Sequence, residues 1–211
     1  DVVTNLIGFE IVEHGNKQCA IRATATPSER EFSQLLNRVF NIIEHTQDRT
    51  RDALRDGFQQ YKTVASLTKD ARRFLLFCTR TLHKKHIGPR KDESFFHLLL
   101  ERLILIQHDH KYIYQKLDGE EAEFNSDVVE LYDTVCDMFE LFREAFHAGE
   151  LRQFATINKE WHRIYFTRGH ELLDNCSEHE SVVIYHALHL SQLIFLIAQP
   201  NLVRQQAHVN W

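Results

Sequence analysis

Helix-breaking residues are scarce in this chain, and they are regularly placed. Its 211 residues include seven glycines and three prolines. Gly57, Gly88, Gly119 and Gly149 stand about 30 residues apart, as punctuation marks between longer elements. Between them, apolar residues recur at 3.6-residue spacing over two dozen residues at a time. That period belongs to amphipathic helices, because it puts apolar side chains on one stripe, and it rules out strands over those stretches. The expected class is all-α.

The first 26 residues break the pattern. Leu6 to Val12 and Cys19 to Ala23 are short runs rich in β-forming residues. His14-Gly15-Asn16-Lys17 between them has turn chemistry. A β-hairpin is expected here, and since a lone hairpin is marginal in water, it must lean on the helices or on another domain. Ser28 then precedes Glu31 in the spacing of a capping box, where the hydroxyl and the carboxylate each satisfy a free backbone N–H. Helix 1 is expected from there to Gly57 and helix 2 from Phe58 to His86. The loop Ile87-Gly88-Pro89-Arg90-Lys91 should end helix 2, because proline cannot extend the ladder. Asp92 is the expected cap of helix 3, which runs to Leu117. Helix 4 is expected over 125–148, helix 5 over 151–175 and helix 6 over 178–198. Gln199-Pro200 should stop helix 6 and leave a fraying tail, 201–211.

Shifted by 92 residues, the chain resembles itself. Asp52 to Gly57 lies over Glu144 to Gly149, Phe74 over Phe166, and Phe96-His97-Leu98 over Leu188-His189-Leu190. Each match is weak, but a shared gap-free offset argues for a unit used twice. The expected organisation is a hairpin or linker over 1–26, a three-helix bundle over 27–118, a second over 119–200, and the tail. Short connections favour antiparallel neighbours within each bundle.

Composition excludes several classes. The formal charge of −5 is spread over interspersed acids and bases, so nothing in bulk favours nucleic acid or an anionic membrane. The four cysteines lie far apart without a CxxC, which reads as reduced thiols in a cytoplasmic protein. No apolar run is read as reaching the roughly 20 residues of a membrane span. The chain starts at Asp1 without an initiator Met or a signal peptide, which suggests a fragment lacking its N-terminal part. A helical di-iron enzyme needs two Glu-x-x-His motifs and two further glutamates; the one such motif here is Glu144-Ala145-Phe146-His147. No phosphate-binding glycine loop and no nucleophile elbow occur, so no enzyme is expected.

Several segments resemble the archaeal PhoU family. Leu6 to Glu13 resembles the stretch that joins an AbrB-type (SpoVT-like) DNA-binding domain to the helices. Ala71 to Arg80 with Leu82-His83-Lys84-Lys85 resembles the second helix, His110 to Tyr114 the end of the third, and Ala187 to Pro200 the last. The resemblance implies two tandem three-helix repeats and a regulatory adaptor that controls phosphate uptake through a transporter or a signalling partner. DNA would be reached only through a preceding domain missing from this chain. Long amphipathic helices, and the dimeric habit of AbrB-type domains, make a homodimer an expected assembly. PhoU repeats bind metal clusters through a Glu/Asp-x-x-x-Asp motif on a helix face. Here its helix 3 positions fall on Ile104 and His108, a helix 2 acid falls on Thr68, and the helix 6 counterpart of Ile104 is Leu196. The acidic motif is largely erased.

Helix 3 carries the chemistry that stands out. His97, Glu101 and His108 share one face at i, i+4 and i+11, with Asp109 and His110 alongside. Imidazole and carboxylate at one-turn spacing are ligand chemistry for zinc or iron, so His97, Glu101, His108 and Asp109 form the candidate metal set. Chance spacing in a chain with 14 histidines is the alternative. His186 and His189 at i, i+3 read as hydrogen-bonded interface histidines, and Cys78 reads as core. His83 to Lys91 is a short basic run with two readings, an anion contact or a solvated loop. Phe95, Phe96, Tyr112, Tyr114, Trp161, Tyr165 and Phe166 read as core aromatics. Besides the PhoU-like adaptor, two readings stay open: a helical ligand- or metal-sensing domain of another transcription-regulator class, and a helical metalloenzyme, which the motif count disfavours.

Overall fold

A computed structural model describes residues 6–14, 19–24, 28–85, 92–148 and 151–206. The chain is all-α apart from one hairpin. Strands β1 (Phe9–His14) and β2 (Cys19–Ala23) pair antiparallel from Phe9↔Ala23 to His14↔Cys19. The register slips between Ile11 and Glu13, which leaves Val12 as the extra residue, as in a β-bulge. The turn itself lies outside the described residues. The hairpin leans on the helices through Phe9, whose ring lies 4.4 Å from the Arg80 guanidinium, which also meets the Phe77 ring at 5.0 Å.

The helices are α1 (Glu29–Asp56), α2 (Tyr61–Lys85), α3 (Glu93–Leu117), α4 (Ser126–Ala148), α5 (Leu151–Arg163), α6 (Gly169–Leu173) and α7 (Glu178–Gln206), with a π-helical segment, Ile164–Arg168, between α5 and α6. Helices α1, α2 and α3 pack on one another, as do α4, α5 and α7. The two groups meet where α1 packs on α4 and α3 on α7. Helices α1, α3, α4 and α7 thus form the centre, with α2 and α5 outside, around one continuous apolar core.

Local chemistry sets the corners. Ser28 and Glu31 form the capping box expected at α1. Gly57 ends α1 at φ +94°, a conformation that costs glycine little. Gly119 turns at φ +84°, and its N–H donates to the Phe58 carbonyl at 2.7 Å. The neighbouring Asp118 carboxylate accepts from the Tyr61 N–H at 3.0 Å, so the α3–α4 turn caps α2. Glu180 plays a similar double part, accepting from the Ser177 and Asn125 N–H groups, both at 2.8 Å; these backbone bonds hold its carboxyl below the usual value.

The buried positions of α1 and α4 coincide at the 92-residue shift: Leu36 with Val128, Val39 with Leu131, Phe40 with Tyr132, Ile43 with Val135, Gln47 with Phe139, Thr50 with Phe142 and Ala53 with Ala145 are all buried. The correspondence extends to an arginine at the rim, paired with a carboxylate in one half and with a neutral amide in the other. Arg51 of α1 donates to Asp133 of α4 at 3.1 Å, and Arg143, its equivalent, donates to Asn41, the equivalent of Asp133, at 2.6 Å. At the same shift α3 and α7 also share buried positions, among them Phe95 with Ala187, Leu99 with Ser191, Leu103 with Phe195 and Ile106 with Ala198.

Four local expectations need correction. Asp92 stands at the N-cap of α3, but in helical conformation and without a side-chain cap bond. The fifth helix is interrupted by the π turn. That turn leads into Gly169, where an added Cβ would come within 2.3 Å of Leu188 Cδ2, so the hydrogen side chain lets α6 approach α7. Pro200 does not stop α7, which continues to Gln206. Proline removes one N–H from the ladder, and the packing of α7 against α3, α4 and α5 outweighs that loss. Finally, α7 is long and apolar enough to cross a membrane over Glu178–Leu202, with mean hydropathy 1.7. Most of that stretch, 61%, is buried against the other helices, the position of a core helix.

Candidate functional site

Helix α3 presents two chemically distinct faces, because α2 and α7 pack on opposite sides of it. On the α7 side Asp109, 4% exposed, accepts from His186 Nδ1 at 2.7 Å and from His189 Nδ1 at 2.8 Å. A carboxylate only accepts, so both imidazoles carry their proton on Nδ1. These two hydrogen bonds outweigh burial and hold the Asp109 carboxyl below its ordinary range, while the Asp109 bond raises His189. The next residue, the fully buried His110, meets the Tyr132 hydroxyl of α4 through Nδ1 at 2.9 Å. Its Nε2 is buried without a hydrogen-bond partner, and burial pushes its pKa down to about 4, so the ring is neutral near pH 7.

A polar layer continues toward α1. Gln107 donates to Thr46 at 3.1 Å and to Thr68 at 3.2 Å, and Tyr114 donates to the Arg49 carbonyl at 2.8 Å. Both donors are thus paired, as buried donors usually are, while the Gln107 side-chain oxygen is buried without a partner.

The α2 side of α3 is open. His97 lies against His83, ring centroids 4.8 Å apart. It lines a groove with Glu101, Ile104 and Arg72. His108 lines a second, adjoining cavity of about 490 Å³ between the two helices. Its imidazole pKa is lowered by burial and by the neighbouring Lys111 and Arg72.

The four residues of the candidate metal set therefore do not converge. His97 and Glu101 share a groove, His108 sits in the next cavity, and the Asp109 side chain is engaged by α7. Among the described residues no three His, Cys, Asp or Glu side chains are grouped as a metal site requires. The interface reading of His186 and His189 matches the geometry. Cys78 is core as well: fully buried, with its thiol pushed up to about 12 by burial. Two of the expected core aromatics are not core. Tyr112 is 44% and Phe166 58% exposed, because Tyr112 lies beyond the α3–α7 seam and the π turn rotates Phe166 outward beside Trp161 and His162. Of the basic run, His83 to Lys85 end α2; 86–91 lie outside the described residues.

Sequence reasoning missed the cations that surround His108, namely Lys69, Arg72 and Arg73 of α2 and Lys111 of α3. Their i, i+3, i+4 spacing was a visible signal; their convergence on α3 was not.

Comparison with known proteins returns no match among family models, curated proteins or solved structures.

Proposed function

We propose that this chain is a PhoU-like regulatory adaptor that works in the cytoplasm, transmitting phosphate status to a transporter or signalling partner through protein contacts. The reading rests on the sequence resemblance, and one structural observation supports it best. Two three-helix groups meet through helices whose buried positions correspond at a 92-residue shift, with an arginine at the same rim position of each: the Arg51–Asp133 ion pair falls where the other half has the neutral Arg143–Asn41 hydrogen bond. A duplicated three-helix unit is the architecture that the resemblance implies. In this reading transcriptional control enters through a DNA-binding domain joined to the hairpin, and the adaptor carries out no chemistry of its own.

The test is genetic. Deleting the gene in its own cell and measuring phosphate uptake after a shift from scarce to abundant phosphate should show uptake that no longer falls. Restoring the gene should restore the response. Uptake that responds equally well in the deleted strain removes the proposal.

A further inference from the structure

We propose that the α2–α3 cavity binds a nucleoside di- or triphosphate. The inference stands apart from the adaptor reading and holds or fails without it. Four cations line the cavity, Lys69, Arg72 and Arg73 from α2 and Lys111 from α3, together with the His108 imidazole and no carboxylate among the described residues. That is an unusual concentration for a chain whose formal charge is −5. Like charges one helical turn apart repel, and of Lys69, Arg72 and Arg73 only Arg73 meets a carboxylate, Asp70 of the same turn, so a further anion among them would be favourable. Among the described residues no carboxylate lies within ion-pair distance of Lys69, Arg72 or Lys111. Arg73 has one long contact, to Asp70 at 3.6 Å, and its Nε is buried without a hydrogen-bond partner. A planar guanidinium with a free, buried N–H is suited to a phosphate oxygen.

The volume sets the size of the ligand. A cavity of about 490 Å³ falls in the range that holds drug-sized molecules and is several times larger than an inorganic phosphate. The rest of the wall supplies what an organic body needs. Tyr61, Ala65, Leu76 and Leu6 line it, giving one aromatic ring and an aliphatic surface beside the cations. A flat base against that wall, with two or three phosphates among the cations, satisfies both halves.

The experiment is isothermal titration calorimetry of the full chain at low ionic strength with adenosine diphosphate, guanosine diphosphate, inorganic phosphate and adenosine. At least one diphosphate should bind with a stoichiometry of one. Inorganic phosphate and adenosine should each bind at least about tenfold more weakly, since each carries half of the recognition. Arg72→Gln and Lys111→Gln should each weaken the diphosphate by about tenfold, the scale of one charge-assisted hydrogen bond. Lys159→Gln, on the far helix α5, should leave it unchanged. Unaltered thermal melts of the two cavity variants would exclude misfolding as the cause. The inference is overturned if neither diphosphate gives saturable heat, if inorganic phosphate binds as tightly as the diphosphates, or if Arg72→Gln and Lys111→Gln both bind like the parent chain.

Discussion

At one end of the α1–α4 junction Phe40 packs against Phe139, Phe142 and Phe146, with ring centroids 5.9, 6.2 and 5.6 Å away. At the other end stands Tyr132, the residue that corresponds to Phe40 at the 92-residue shift. The positions corresponding to Phe139 and Phe142 are there Gln47 and Thr50. One end is filled by phenylalanine, joined by Phe95 of α3 at 6.2 Å from Phe146. The other is filled by hydroxyl, amide and imidazole groups that hydrogen-bond across helices. Burial is the same at both ends, so position in the repeat fixes whether a residue is inside, not what chemistry it brings. Apolar packing has no preferred partner and stabilises in proportion to area. Hydrogen bonds must be matched in direction, so the polar end fixes the register of α3 against α1, α4 and α7.

The largest effect should come from breaking the apolar end. Phe40→Ala removes a fully buried ring that touches three others, and should cost about 3–5 kcal/mol in urea unfolding. Phe40 also covers His147, ring centroids 5.8 Å apart, and burial lowers that imidazole's pKa; opening the site relieves this, so the cost should be no larger at pH 5.5 than at pH 8.5.

At the polar end, Asp109→Asn should cost about 2 kcal/mol, because the buried His186 and the half-exposed His189 lose a charged acceptor, and here the cost should depend on pH. The raised His189 contributes stability that is complete below the ordinary imidazole value and is lost as pH rises through its folded value. The depressed Asp109 contributes above the ordinary carboxylate value and is lost as pH falls through its folded value. The pair is therefore strongest between about pH 4 and 6.5. Unfolding at pH 5.5 should show a larger Asp109→Asn penalty than at pH 8.5; equal penalties would mean the carboxylate's charge is not what holds α3 to α7.

His110 should act with the opposite sign. Its folded pKa is depressed to about 4, so the neutral ring contributes fully above about 6.5 and loses that contribution as pH falls toward 4. The unfolded chain takes up a proton that the folded chain refuses. His110→Gln removes that uptake. Relative to the parent, the variant should gain about 1 kcal/mol per pH unit between pH 6 and 5, read from urea midpoints. A parallel pair of stability curves would refute the neutral buried ring.

The difference between the two ends explains how much could be read from the sequence. The all-α class, the hairpin, the Ser28–Glu31 cap and the breaks at Gly57 and Gly119 are decided within a few residues, and they were legible. So was the shared inward face of α1 and α4, because a 3.6-residue period marks burial wherever the helix packs. The i, i+3 pair His186 and His189 was visible as well, but not its acceptor. Asp109 appeared alongside His97, Glu101 and His108 in a single candidate set; which of them turns toward α2 and which toward α7 depends on how α3 rolls between its neighbours, and one helix's spacing does not contain that. The cationic cavity needed α2 and α3 together for the same reason. Pro200 misled because its local penalty is fixed, while the packing of α7 that outweighs it is tertiary.

The smallest effect lies at the rim of the same junction, where the correspondence can be tested within one pair of equivalents. Arg51 reaches Asp133 at 3.1 Å and Asp137 at 2.7 Å. Arg143 reaches Asn41 at 2.6 Å, pairs with Glu44, and lies over the Phe40 ring at 5.9 Å. Both sites are partly exposed, so each ion pair should contribute only about 0.5–1 kcal/mol, and salt should screen it. Arg51→Ala should therefore cost less in high salt than in low salt. Arg143→Ala should keep a salt-insensitive remainder, because its guanidinium also covers the phenylalanine end. Measuring both variants by urea unfolding at two salt concentrations separates the contributions. Equal, fully screened losses would mean that Arg143 acts as a charge alone, and that the two ends of the junction differ in their cores but not at their rims.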